Sequence, residues 1–175
     1  RQMCIRDSIY SVELKNCFSF NRNFVKDYKK VKIRITKEFD FEAAHALDGY
    51  NGKCKDIHGH SYHLEMTFIG IPKSDTGLSD CGMVVDFGDI KKIVKIQILP
   101  LFDHRLILRK DTRFKEIESI NERIRLVDYQ PTCENMLIEI VEILKRNEPK
   151  GAKLVKGFLR ETANSFAEWR QEDNP

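Results

Sequence analysis

Three histidines and a cysteine are the residues of this chain best suited to chemistry. His58 and His60 stand in the segment Cys54-Lys55-Asp56-Ile57-His58-Gly59-His60, and His45 lies upstream of it. On an extended strand an H-x-H pair sends both imidazoles to the same side, because side chains alternate with a period of two. A hairpin that brings His45 back to that side gathers three neutral imidazoles. Three such ligands with an open fourth position form the usual arrangement of a catalytic zinc. Cys54 beside them supplies a base or a nucleophile. As a fourth ligand it would instead close the site into a structural one. No H-E-x-x-H occurs, so the common metalloprotease arrangement is absent.

Two alternating segments position these groups. Val31, Ile33, Ile35, Phe39, Phe41, Ala43 and His45 are odd-numbered, with mostly charged residues between them and Lys37 as the exception. This is a half-buried antiparallel strand with His45 on its buried face. The run is long for one straight strand, so a bend or bulge is expected near Lys37. In the second segment His60, Tyr62, Leu64, Met66 and Phe68 share one face, which turns His63 away from the metal. The loop between the segments contains Gly49, Asn51 and Gly52, residues that permit turns, and presents Cys54.

Helical spacing follows. Asp86 caps a helix whose stripe is Phe87, Ile90, Val94 and Ile98, and which Pro100 stops. Thr132 caps a second, with the stripe Met136, Leu137, Ile140, Val141 and Leu144. A charged insert over 111–123 and a candidate short strand, Ile124 to Tyr129, lie between them. Two strands end the chain. One places Val155, Leu159 and Glu161 on a common face, and the other runs from Phe166 to Arg170. The order predicts an α+β fold, a four-stranded antiparallel sheet with two helices on one face.

The 175 residues carry a formal charge of +3 with the basic groups scattered, a balance that suggests neither nucleic-acid nor membrane binding. No stretch approaches the roughly 20 apolar residues that span a bilayer. Five cysteines without C-x-x-C spacing read as reduced thiols in a cytoplasmic protein, with Cys81 and Cys133 as small buried hydrophobes. Residues 31–175 are read as one domain. Residues 1–30 are aperiodic and read as a non-native or disordered extension, and the first eight resemble a translated sequencing adaptor.

Six motifs occur in order: Phe41-x-Ala43-Ala44-His45, Cys54-x3-His58-Gly59-His60-Ser61-Tyr62, Gly82-Met83-Val84-Val85-Asp86-Phe87, Asp103-His104-Arg105, Pro131-Thr132-x-Glu134-Asn135 and Arg160-Glu161-Thr162. Together they resemble the 6-pyruvoyltetrahydropterin synthase superfamily. The likeness is strongest to the bacterial branch that makes 6-carboxy-5,6,7,8-tetrahydropterin for queuosine synthesis.

That resemblance implies the tunnelling fold. It also implies a homo-oligomer, a trimeric ring or a dimer of trimers, with active sites between subunits. It makes 7,8-dihydroneopterin triphosphate the substrate, with zinc held by His45, His58 and His60 polarising its side-chain oxygens. Cys54 falls at the position of the family's proton-abstracting base, and Asp103 and His104 match its Asp-His relay. Glu161 matches the glutamate that anchors the pterin, and Thr132 and Glu134 match positions lining the pocket. Two other readings stand beside the carboxy-forming lyase. One is the pyruvoyl-forming synthase, whose cysteine-to-histidine gap is generally longer than the three residues between Cys54 and His58. The other is a non-catalytic zinc-stabilised binding module.

Overall fold

The computed structural model describes residues 31–119 and 121–174, so the readings made for residues 1–30 lie outside the described residues. The first hairpin follows from the alternation. β1 (Ile33–His45) and β2 (His58–Gly70) pair antiparallel in one unbroken register, from Ile33 opposite Gly70 to His45 opposite His58. Phe41, Ala43, Tyr62, Leu64, Met66 and Phe68 are buried on the inner rows. Each fully buried side chain of this kind contributes about 1.5–3 kcal/mol, and together they fix the ends that carry the histidines. The bend expected at Lys37 is absent: this residue keeps its place on the inner row, half-buried opposite Met66. A partner strand of equal length lets β1 run through.

The register breaks elsewhere, between β2 and β5 (Ala152–Thr162). Thr67 pairs with Lys156 but Phe68 pairs with Leu154, which leaves Val155 as the extra residue of a bulge. The insertion exchanges parity. Leu154 is buried before it, and Gly157 and Leu159 after it. Val155 therefore does not share the face of Leu159, as its numbering had suggested.

β6 (Ser165–Arg170) completes an antiparallel ladder of β1, β2, β5 and β6. The sheet is nevertheless six-stranded and mixed, not four-stranded and antiparallel. β3 (Arg105–Arg109) runs parallel to β1, and β4 (Ile124–Val127) parallel to β3, giving the order β4–β3–β1–β2–β5–β6. Leu106, Ile107 and Leu108 are all buried: Ile107 joins the main core, while Leu106 and Leu108 join a smaller cluster with Ala46. A strand buried on both faces has no alternation to read.

α1 (Phe87–Gln97), a single turn α2 (Leu99–Phe102) and α3 (Cys133–Arg146) pack into the main core with the inner rows of the sheet. Asp86 caps α1 by accepting from the Gly88 N–H at 2.7 Å, and Thr132 caps α3 by accepting from the Asn135 N–H at 3.3 Å. The stripe of α3 is buried as expected. That of α1 starts at Ile90: Phe87 is exposed, and Val84 and Val85 just before the cap fill the core in its place. No helix among the described residues is long and apolar enough to cross a membrane.

Candidate metal centre

The hairpin register sets His45 opposite His58, and Ala43 opposite His60. The inner rows thus end in three imidazoles with ring centroids 4.5, 4.9 and 5.2 Å apart. His45 Nδ1 lies 2.6 Å from the Pro131 carbonyl oxygen, and His58 Nδ1 lies 2.8 Å from that of Asp56. A carbonyl accepts and never donates, so both Nδ1 atoms carry a proton, and in the neutral, ligating rings both Nε2 atoms present lone pairs. Those two Nε2 atoms stand 3.1 Å apart.

Two lone pairs cannot bond to each other, but a cation between them satisfies both. Zinc with Zn–N bonds of about 2.0–2.1 Å in tetrahedral geometry has ligand edges of about 3.3 Å. His60 Nε2 is the third nitrogen, buried and without any hydrogen-bond partner. One ligand atom from each histidine falls within 4.8 Å of the others. Burial also lowers the pKa of His45 and of His60, which favours the neutral, ligating form. The residues present fit a metal ion.

Glu161 reaches the same point from β5. It sits where the β5–β6 pairing slips between Arg160 and Thr162, an irregularity of the kind that re-aims a side chain. Its Oε1 lies 3.5 Å from His45 Nε2 and 3.9 Å from His60 Nε2, and accepts the Tyr62 hydroxyl at 3.0 Å. Tyr62 is buried and stacks on Phe41 at 5.1 Å. Its hydroxyl is pushed far above the ordinary range, first by burial and then by the Glu161 carboxylate, so it stays a donor. The sequence reading placed Tyr62 on the inner row without giving it a role. The signal was available: it lies two residues past His60 on the same row.

Cys54 lies half-buried on a 3-10 turn, Lys53–Lys55, in a loop closed by the Leu47 N–H donating to the Cys54 carbonyl at 2.9 Å. Cys133 is buried and donates to the Leu159 carbonyl at 3.2 Å, with burial pushing its thiol up to about 12. It fits the reading as a small hydrophobe. Cys81 does not, since it is exposed on the loop before α1.

Asp103 and His104 form the expected pair, with His104 Nδ1 2.8 Å from Asp103 Oδ1, which also accepts from the Glu42 N–H at 3.1 Å. His104 has a φ of 57° and is held there by its own N–H donating to the Glu42 carbonyl at 2.6 Å. Neither Asp103 nor His104 hydrogen-bonds to the histidine cluster among the described residues. They border a cavity of about 450 Å³ together with Arg105 and Arg123. Thr132 is committed to its helix cap, and Glu134 is exposed on the first turn of α3. One chain therefore assembles His45, His58, His60, Glu161 and Tyr62; Asp103 and His104 make no hydrogen bond to them among the described residues, although His104 and His60 both line a cavity of about 470 Å³.

The family model described as 6-pyruvoyl tetrahydropterin synthase matches residues 34–172. A 6-carboxy-5,6,7,8-tetrahydropterin synthase of Haemophilus influenzae is 34% identical over 145 residues, which are 79% of this chain and 99% of that protein. A protein of the same name from Aquifex aeolicus is 34% identical over 168 residues, covering 81% of this chain and all of its own. Among solved structures, 6-pyruvoyl tetrahydropterin synthase of Caenorhabditis elegans has a TM-score of 0.58 at 24% identity, over 80% of this chain and 96% of its own. An uncharacterised protein of Wolinella succinogenes has a TM-score of 0.65 at 21% identity, over 80% of this chain and 98% of its own. Both structures share the fold.

Proposed function

The chain belongs to the 6-pyruvoyl tetrahydropterin synthase family, and from that premise we propose that it is a zinc-dependent lyase forming 6-carboxy-5,6,7,8-tetrahydropterin. The substrate is 7,8-dihydroneopterin triphosphate, taken with water to the carboxypterin, acetaldehyde and triphosphate, in the service of queuosine synthesis. The observation that carries the reading is the pair of facing lone pairs on His45 and His58, with the orphan nitrogen of His60 beside them. The names of relatives matched over nearly their whole length support the carboxy product, as does the three-residue gap between Cys54 and His58.

His45, His58 and His60 would hold the zinc, which supplies Lewis-acid polarisation of the substrate's side-chain oxygens. Cys54 takes a proton from a carbon of the substrate's side chain. Asp103 fixes the His104 tautomer through Nδ1, leaving Nε2 to move a proton. Glu161 accepts from the pterin ring N–H and amino group, and Tyr62 holds its Oε1 so that the other oxygen faces the ligand. Thr132 and Glu134 line the pterin pocket from the start of α3.

That Asp103 and His104 make no hydrogen bond to the three histidines among the described residues supports a ring of identical subunits, trimeric or paired, in which a second copy completes each site. Free thiols at Cys54, Cys81 and Cys133 support a reducing, cytoplasmic setting. The family match from residue 34 to 172 supports a single domain over 31–175.

The test is incubation of the zinc-loaded chain with 7,8-dihydroneopterin triphosphate and identification of the products by mass spectrometry. Acetaldehyde and a carboxypterin are expected. A pyruvoyl product would assign the chain to the other activity of its family, and zinc binding without turnover would leave a binding module.

A further inference from the structure

Among the described residues of the loop between β1 and β2, 46–57, only Ala46 is buried. This loop presents Cys54 and the Asp56 carbonyl that accepts from His58 Nδ1. Core packing does not hold it, so its shape depends on polar contacts. The Leu47 N–H joins its two limbs by donating to the Cys54 carbonyl at 2.9 Å. Further support comes from outside the loop. Gln130, ahead of α3, donates from Nε2 to the Asp48 carbonyl at 2.8 Å. Arg113, in the charged insert that follows β3, reaches the loop at three points.

We propose that Arg113 is the positioning residue of this loop, holding Cys54 and the Asp56 carbonyl in place for turnover, a role that rests on the reading of Cys54 as the base. Its Nη2 donates to the Lys55 carbonyl and to Asp56 Oδ1, both at 2.7 Å. Its Nε stands 3.5 Å from Asp48 Oδ1. One guanidinium thus ties the limb leaving β1, at Asp48, to the limb entering β2, at Lys55 and Asp56. Cys54 lies one residue ahead of the second tie.

Both ends of this clamp are anchored. The Asp48 side chain is only 9% exposed, and its Oδ2 is buried without a hydrogen-bond partner among the described residues. A carboxylate so placed needs a facing cation, and Arg113 supplies it. The guanidinium in turn lies over the Phe114 ring, 4.5 Å from its centroid. Phe114 packs against the small cluster of Ala46, Leu106 and Leu108. Thr112 is buried, accepts from the Phe114 N–H at 3.2 Å and donates its own N–H to the Arg109 carbonyl at 2.9 Å. The arginine therefore projects from a fixed turn at the end of β3. An isolated surface ion pair contributes little, but here one planar fork meets three acceptors on two limbs. A lysine, with a single nitrogen, does not reproduce that geometry.

The test compares Arg113→Ala with the unsubstituted, zinc-loaded full chain, by hydrogen exchange and by turnover of 7,8-dihydroneopterin triphosphate. Amides of 46–57 should exchange about tenfold faster or more, while those of β1 and β2 keep their rates. kcat should fall about 10- to 100-fold, with KM and zinc content unchanged. Arg113→Lys should recover only part of that loss. Unchanged exchange over 46–57 would overturn the proposal. So would full recovery by lysine, which would make charge rather than geometry the requirement. Faster exchange with undiminished kcat would overturn it as well, since the loop would be held but its position not used. An unsubstituted chain without turnover would instead strike the lyase reading, and loop exchange would still decide whether Arg113 holds the loop.

Discussion

His45 and His58, direct neighbours across the first hairpin, point unprotonated Nε2 atoms at each other from 3.1 Å. Each is locked in that state from behind, by the carbonyl of Pro131 and that of Asp56. The fold thus holds two lone pairs in opposition until a cation relieves them. Removal of metal by a chelator is expected to lower Tm. At a hundredfold excess of metal over Kd the bound ion contributes about 2.7 kcal/mol, or several degrees for a chain of this size. His58→Ala should weaken binding more than the roughly 10- to 100-fold lost when an outer partner is removed. Metal content and thermal scans measure both.

The metal-free chain should lose stability on acidification. Burial sets the pKa of His45 and His60 below 6.5, their ordinary value. Between those lowered values and 6.5 the unfolded chain binds more protons than the folded one, so stability rises with pH across the window and is lost as pH falls through it. Protons also compete with metal for these nitrogens, so acid should release the ion in the same direction. Thermal scans of the stripped chain from about pH 7.5 to about 5.5 should show a falling Tm, with a shallower fall in His60→Asn. An unchanged Tm would mean that the imidazoles titrate alike in both states.

Tyr62→Phe separates pterin binding from metal binding. The hydroxyl donates to Glu161 Oε1 at 3.0 Å, and a hydrogen bond to a charged group is worth about 1.5–3 kcal/mol. With Glu161 left to swing, KM should rise about tenfold or more, with a smaller change in kcat and full metal content. Loss of metal instead would show that Tyr62 serves the histidines rather than the carboxylate.

Cys54→Ala decides between a base and a fourth ligand. As a base, its loss should cut turnover by about 10²–10⁴ with metal content unchanged. A ligand would take the metal with it, so metal analysis alone distinguishes the two.

The parts legible in the sequence are those where one face is wet. β1, β2 and the stripe of α3 could be read because period-two and period-3.6 patterns need a polar side, and the three histidines inherited their common face from that pattern. β3 could not be read, since Leu106, Ile107 and Leu108 are all buried. Val155 misled because a bulge changes parity without changing composition. Glu161 was legible, since it follows Leu159 by two residues and shares its row, but its hydrogen bond with Tyr62 joins β2 to β5, and no local pattern pairs the two. Pairing irregularities such as the bulge at Val155 are likewise set by tertiary structure, and local sequence does not encode them.

His104 links stability to chemistry in a way that can be measured. Its φ of 57° lies in the left-handed region, which costs a residue with a Cβ about 1–2 kcal/mol and glycine little. The N–H bond to the Glu42 carbonyl holds the strained backbone and would survive any substitution except proline. His104→Gly is therefore expected to fold at least as stably as the natural chain, by up to about 1 kcal/mol, while turnover falls by about 10²–10⁴ through loss of the relay imidazole. His104→Ala should lose the same activity but keep the strain, and so be the less stable of the two. Denaturant midpoints and product formation on the pair provide the measurement. Turnover surviving in the glycine variant would remove His104 from the proton path, and an alanine variant more stable than the glycine one would mean that the backbone carries no strain there.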